Sequence, residues 1–267
     1  MKKIVEIFKV CLIFFCGMLL YSCQKDEHTN GIIGASGLAK VNVIDAVVTG
    51  GNAKVNVSPK QIYWNSLPIE QVGGGQVLGG FTLGRLFMVP AEQNTVMQVV
   101  PVNDTTKMWY NHVAQLGAGK VYSLYLSGTP GNVKSLWHEE TDFPTYIVRD
   151  VVKPTPPADS TVNIRFINLS PSVPKVDVKL VGAGNIITNL TYQQFTDFKS
   201  YSATSAHEIY TFEIRRSFDQ ELIATYDFPV YNFRFKSAVI FMMGIYDPAY
   251  ELPLEYTDRY RVEAIAY

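Results

Sequence analysis

The sequence predicts an all-β protein built from two tandem antiparallel β-sandwiches, and three observations carry that prediction. Short apolar runs rich in Val, Tyr, Phe and Thr are broken by Gly, Pro and Asn, the pattern of strands at sandwich spacing. No stretch of helix length keeps a 3.6-residue apolar period, and residues 193–200 hold one helical turn at most. The chain also repeats itself. Val41-Asn42-Val43 and Lys54-Val55-Asn56-Val57 align without gaps on Val162-Asn163-Ile164 and Lys175-Val176-Asp177-Val178 at an offset of 121 residues. Residues 120–128, KVYSLYLSG, align with 236–244, KSAVIFMMG, at an offset of 116, and residues 136–142 align with 252–258 at the same offset. The reading is a tandem duplication with about five extra residues in the middle of the first copy.

Taken in order, residues 1–22 read as a leader. Lys2, Lys3 and Lys9 give a positive start, and Val10 to Tyr21 form an apolar run of secretory length, shorter than the ~20 residues a membrane span needs. Leu20-Tyr21-Ser22-Cys23 resembles the lipobox of bacterial lipoproteins. That resemblance implies a cleaved signal peptide and a diacylated Cys23, which would carry palmitate-type chains as the first residue of the mature protein. Gln24-Lys25-Asp26-Glu27 resembles the export signal that sends lipoproteins of the Bacteroidota phylum to the cell exterior. The expected partner there is outer-membrane lipid, held through acyl chains at about 0.8 kcal/mol per buried methylene.

Residues 23–37 read as a Gly-rich flexible tether. The first repeat, 38–152, is expected to hold strands at 40–47, 54–57, 85–90, 96–102, 120–127 and a closing strand at 146–152. Residues 153–160, Lys-Pro-Thr-Pro-Pro-Ala-Asp-Ser, read as a polyproline-like linker that limits how the sandwiches swing. The second repeat, 161–267, is expected to place strands at 162–168, 176–181, 209–215, 222–229, 238–246 and 260–266. Each repeat is long enough to bury roughly 65 per cent of its unfolded surface.

Composition narrows the function classes. The chain is 47% hydrophobic and 18% charged with a formal net charge of −1; three lysines and one glutamate leave with the leader, so the remainder carries −3. That gives no basic field for nucleic acid. Of the three cysteines, Cys11 and Cys16 lie in the leader and Cys23 is the lipidation point. The folded part then has no disulfide, no cysteine nucleophile and no Cys-ligated metal, and its stability rests on core burial.

Val162-Asn163-Ile164-Arg165-Phe166-Ile167-Asn168-Leu169-Ser170-Pro171, followed by Val176-Asp177-Val178 and an apolar strand before Gly244, resembles the opening of domain of unknown function 4397, common in surface lipoproteins. The first copy matches less closely, with Ile44-Asp45-Ala46 and Thr49-Gly50 at the corresponding places. The resemblance covers roughly residues 38–267. It implies an immunoglobulin-like or transthyretin-like sandwich and no assigned activity. Asn168 and Ser170-Pro171 read as turn-formers at the end of a strand.

Residues with chemistry are sparse. His28, His112, His138 and His207 lie outside any H-x-H or H-E-x-x-H spacing, so no metal, cofactor or catalytic set is expected. Glu139, Glu140 and Asp142 cluster, but Glu255 and Asp258 recur at matching repeat positions, which fits a structural loop. Residues 73–80 are Gly-rich without the Gly-Lys-Ser/Thr of a phosphate loop and read as a hairpin connection. Trp64, Trp109 and Trp137, with Tyr110, fall in or near expected loops of the first copy, where exposed rings would stack on sugars. Asp104-Thr105-Thr106 and Asp159-Ser160-Thr161 resemble the O-glycosylation sites of exported Bacteroidota proteins, which marks Thr105 and Ser160.

The expectation is an outer-membrane lipoprotein facing the cell exterior, a non-enzymatic module for adhesion or assembly with an extracellular protein. The alternative is a glycan-binding lipoprotein of a nutrient-uptake complex, and buried Trp64 and Trp109 would count against it. An enzyme would need convergent polar residues in a cleft between the sandwiches.

Overall fold

The computed structural model describes residues 37–58, 85–141, 145–148, 151–154, 160–204, 208–249, 252, 254 and 258–266. The chain is all-β, with eighteen strands and one short 3-10 turn among these residues. In the first half β1 (Leu38–Val47), β3 (Arg85–Pro90), β6 (Val121–Thr129) and β7 (Asn132–Glu139) form a sheet in the order β3-β1-β6-β7. It faces a second sheet, β2-β4-β5, made of Ala53–Ser58, Asn94–Pro101 and Tyr110–Gln115.

The second half repeats this plan. Strand β10 (Thr161–Asn168) pairs with β17 (Ser237–Met243), which pairs with β18 (Arg261–Ala266), while β13 (Gln194–Phe195) and β14 (Lys199–Ser202) share the other edge of β10. The facing sheet is β12-β11-β15-β16, from Gly184–Thr191, Lys175–Leu180, Ile209–Arg216 and Leu222–Pro229. A separate hairpin joins β8 (Thr145–Val148) to β9 (Val151–Pro154).

Among the described residues all pairings between strands are antiparallel except two. β1 runs parallel to β6, and β10 runs parallel to β17 at equivalent places in the duplication. Strands inside parallel pairs are usually buried on both faces and read as continuous apolar runs rather than alternating ones. That is the composition of 121–126 and of 237–243, whose seven residues are all buried.

The two faces of these strands enter different cores. Val41, Val43, Leu124 and Leu126 point into the first sandwich with Val55, Val99 and Trp109. Ile164, Phe166, Ile240 and Met242 point into the second with Phe212, Ile214 and Phe228. The intervening residues, Ile44, Ala46 and Tyr125 from one half and Ile167, Leu169, Val239, Phe241 and Met243 from the other, form a third core between the halves. The Tyr125 and Phe241 rings sit 6.1 Å apart there. At roughly 1.5–3 kcal/mol for each large side chain buried, this core is comparable to a domain interior. Residues 34–267 accordingly form one compact unit.

An ion pair is sealed in the same interface. Arg165 and Glu140 have fully buried side chains, and an Arg165 guanidinium N–H donates to Glu140 Oε2 at 2.6 Å. Arg165 Nε also donates to the Thr196 carbonyl at 3.0 Å, and the guanidinium lies 4.7 Å and 4.2 Å from the ring centres of Phe195 and Phe198. The Tyr125 hydroxyl donates to Glu140 Oε1 at 3.4 Å.

The Asn168-Leu169-Ser170 stretch at the end of β10 has a structural role. The Asn168 amide donates to the carbonyls of Val173 and Leu190, its Oδ1 accepts the Ser170 N–H, and the Ser170 hydroxyl donates to the Gly244 carbonyl at 2.7 Å. The turn after β10 is thereby tied to the end of β17. Gly244 must be glycine, since its φ is +82° and a Cβ would collide with the Arg259 carbonyl.

Four expectations are corrected. Residues 146–152 are not one closing strand; the chain reverses within them, and β7 closes the first sheet after a turn at Pro130-Gly131. Residues 193–200 supply β13 and the start of β14, not a helical turn, because their amides complete the edge of β10. The match of 136–142 to 252–258 is not structural: β7 pairs with β6 where β18, at 261–266, pairs with β17. The sandwiches are not purely antiparallel, owing to the β1·β6 and β10·β17 pairs.

Asp45 is a polar residue inside the first core. It is fully buried, its Oδ1 accepts the Val47 N–H at 3.0 Å, and its Oδ2 has no partner among the described residues. Burial pushes its carboxyl up to about 7, against a smaller lowering by the Val47 hydrogen bond. Its counterpart by strand register is Asn168, whose Oδ1 likewise accepts the N–H two residues on.

Two outcomes follow. Truncating one member of the buried ion pair, by Glu140→Gln or Arg165→Met, is expected to cost about 3–5 kcal/mol in urea unfolding, whereas Glu140→Leu with Arg165→Met together should recover most of that loss. Single variants within about 1 kcal/mol of wild type would show the pair to be irrelevant to stability.

For Asp45 the folded-state pKa lies above the usual 3.8, so both states are protonated in acid and stability falls as pH rises from about 4 to 7. Asp45→Asn should remove that slope. Its stability relative to wild type should rise by about 4 kcal/mol between pH 4 and pH 8, read by denaturation at each pH. An unchanged difference across that range would show that Asp45 does not titrate in the fold.

Candidate functional site

The residues singled out in the sequence divide into those outside the described residues and those drawn into the fold. Cys23, Gln24, Lys25, Asp26, Glu27, His28, Trp64, Asp142, His207, Glu255 and residues 73–80 lie outside the described residues. Trp109 is only 7% exposed, and its ring closes over Gly50 at the end of the first core, 2.7 Å from where a Cβ would stand. Trp137 is half-buried on β7 and stacks on Tyr122 with ring centres 5.1 Å apart. Trp109 is thus sealed into the first core, and Trp137 has one ring face covered by Tyr122. Their large apolar area is better satisfied by sealing the sandwich.

Thr105 is exposed in the β4–β5 connection, where Asp104 accepts from the N–H of Thr106 at 3.1 Å and from its hydroxyl. Ser160 is half-buried just before β10. The acidic cluster is divided between structural partners, Glu139 to Lys120 at 2.6 Å and Glu140 to Arg165. His138 rests against Phe195 with ring centres 4.5 Å apart, and His112 is exposed on β5. Among the described residues no three His, Cys, Asp or Glu side chains converge as a metal site.

Among the described residues the most exposed large apolar side chain projects from a braced polar base, the β15–β16 turn. Phe218 at its tip is 79% exposed. The Arg216 guanidinium lies 4.6 Å from the Phe218 ring centre and pairs with Asp219 at 2.6 Å and with Glu221. Hydrogen bonding to Arg216 holds the Asp219 carboxyl below its usual range. The Tyr246 hydroxyl donates to Glu221 at 2.7 Å, which pushes the phenol up.

The turn is also pinned from beneath. Asp177 Oδ1 accepts the Ser217 hydroxyl at 2.6 Å and the Asn189 N–H at 2.8 Å, and Oδ2 accepts the Gln220 amide at 2.8 Å. Burial alone would raise the Asp177 carboxyl, yet these three donors hold it below its usual value. Gln220 takes a positive φ of 63° to close the turn. Sequence reasoning passed over Phe218 because a lone aromatic between Ser and Asp carries no periodic signal; the bracketing Arg216, Asp219 and Glu221 were the available clue.

No family model matches the chain, and no curated protein matches it as a relative. Among solved structures it is similar to a family 26 carbohydrate-binding module of Eubacterium rectale, solved in complex with maltoheptaose. That match has a TM-score of 0.25 and 9% identity, covering 86% of this chain and 97% of that one. It is also similar to a fimbrial assembly protein of Parabacteroides distasonis, with a TM-score of 0.21 and 13% identity, covering 86% of this chain and 94% of the other.

Proposed function

We propose that this chain is an outer-membrane lipoprotein, anchored through acyl chains on Cys23 and facing the cell exterior, that serves as a non-enzymatic module for adhesion or assembly with a partner protein. The binding role is carried by Phe218, an aromatic side chain 79% exposed on a turn fixed by Arg216, Asp219, Glu221 and Asp177. Exposed large apolar groups held rigidly from below are the usual anchors of protein interfaces, because little conformational freedom remains to be lost on binding. The address is supported by Leu20 to Cys23 and by Gln24-Lys25-Asp26-Glu27.

The motif that resembles domain of unknown function 4397 spans β10 and β11 and shapes the turn between them, which supports assigning the second half to that group. Exposure of Thr105 supports O-glycosylation there in the exported protein.

Two experiments test this reading. Protease shaving of intact cells should digest the wild-type chain, while a variant with Gln24, Lys25, Asp26 and Glu27 all changed to Ala should survive until the outer membrane is permeabilised. Protection of both would place the chain on the periplasmic face and remove the adhesion role. Separately, the chain from residue 24 onward should be screened on an array of extracellular-matrix proteins and glycans. Phe218→Ala is expected to weaken a captured protein ligand at least about tenfold with no loss of thermal stability. Undiminished binding by that variant would take the contact away from the β15–β16 turn, and capture of glycans alone would favour the nutrient-uptake reading.

A further inference from the structure

Each sheet of a sandwich ends in strands whose outer backbone groups have no ladder partner, and proteins ordinarily blunt such edges with charges, prolines or bulges. Most edges of the two sandwiches are blunted in this way. β2 carries Lys54, β3 carries Arg85 and Pro90, β7 carries Lys134 and Glu139, β14 carries Lys199, and β18 carries Arg261 and Glu263. β16 has Asp227 and ends in Pro229, and its ladder to β15 is broken by a register shift. β12 is uncharged, yet its ladder to β11 shifts register twice and Asn189 takes a positive φ of 56°. β13 is only two residues long.

Among the described residues β5 is a sheet edge with none of these devices. Its six residues, Tyr110-Asn111-His112-Val113-Ala114-Gln115, include no Lys, Arg, Asp, Glu, Pro or Gly, and they pair with β4 in unbroken register from Tyr110↔Val99 to Gln115↔Asn94. Asn111, His112, Val113 and Gln115 are exposed, Val113 at 55%. A straight row of alternating N–H and C=O groups has one complementary surface of the same length and spacing, another extended polypeptide strand.

We infer that β5 is a strand-pairing edge and that its occupant is the β5 of a second copy of this chain, joined antiparallel about a two-fold axis through Val113. A two-fold interface brings the same patch to itself, so it needs a strand that does not repel its own copy. With the axis at Val113, Val113 meets its equivalent, His112 lies opposite Ala114 and Asn111 lies opposite Gln115. No like-charged pair is created, and the exposed Val113 side chain gains a cross-strand partner. An axis perpendicular to the sheet keeps the core-facing side of both copies on one side, so the sheets β2-β4-β5 merge into six strands over two cores. The inference rests on the β5 edge alone and is independent of which membrane face the chain occupies.

The test uses the chain from residue 24 onward, which contains the whole compact unit and no cysteine. Sedimentation equilibrium from micromolar to submillimolar concentration should show a reversible monomer–dimer equilibrium. Val113→Lys sets two ammonium groups against each other and should weaken the dimer at least about tenfold without changing the melting temperature. Val113→Cys, the sole thiol of that chain, should form a disulfide-linked dimer under mild oxidation, since directly opposed strand residues bring Cβ atoms within about 5.5 Å. A chain that stays monomeric while the introduced thiol stays reduced would overturn the inference. So would a dimer indifferent to Val113→Lys, or a monomer that binds a synthetic strand peptide along β5 without pairing to itself.

Discussion

The fold depends on four strands being apolar on both faces. β1, β6, β10 and β17 each send alternate residues into their own sandwich and into the core between the halves, so the polar residues along them, among them Asp45, Arg165 and Asn168, are buried within the fold. Each half alone would present Ile44, Ala46 and Tyr125, or Val239, Phe241 and Met243, to water as a contiguous apolar face, and a soluble domain does not leave such a face open. The duplication is therefore not two beads on a string. It is closer to a homodimer whose subunits have been joined and have since diverged, with the shared sheet faces retained as an interior.

The divergence is legible in how buried charge is handled. By strand register Arg165 corresponds to Asn42, since Arg165 pairs with Val239 and Asn42 with Ser123 at the 116-residue offset, so a half-buried amide in one copy is a guanidinium in the other. An isolated charge at that depth would be strongly destabilising, and it persists because Glu140 from the first half, the Thr196 carbonyl and two aromatic faces surround it. Asp45 shows the opposite handling. Standing where the second copy has Asn168, whose Oδ1 accepts the same N–H two residues on, it has acquired no cation, and the fold accommodates it by favouring its protonated form. The ion pair joins the two halves in fixed register, whereas the unpaired carboxyl makes the first half the pH-sensitive one.

Much of the architecture was readable because strand burial leaves local marks. The runs at 121–126 and 237–243, the alternation at 38–47 and the aligned V-N-V and K-V-x-V blocks placed β1, β2, β6, β10, β11 and β17 to within a few residues. β5 and β12 left no such mark, since an edge strand exposing Asn, His, Thr and Gln looks like loop sequence. β7 was passed over because residues 136–142 share Leu, Glu, Thr and Asp with 252–258, a likeness the pairing does not support. The interface between halves was hidden for a different reason: a continuous apolar run says that both faces are covered, but not by what. Trp109 and Trp137 looked like ligand platforms because aromatic residues near loops serve either to seal a sandwich end or to face solvent, and only packing against Gly50 and Tyr122 decides between them.

Rigidity between the halves gives the exposed features a fixed spacing. The four sheets stack as outer, central, central and outer, and at ~10 Å per layer the outer sheets lie roughly 30 Å apart. β5 borders one outer sheet and the Phe218 turn grows from the other, so nothing that binds at one touches the other directly. Two copies joined edge to edge at β5 would hold two Phe218 turns at one separation, set by packed cores rather than by a linker. A ligand presenting repeated sites at that spacing would gain from the second contact without new chemistry, and one presenting a single site would gain nothing. The third core therefore bears on recognition as well as stability, because a hinged pair of sandwiches would spread that separation over many values and dilute the second contact.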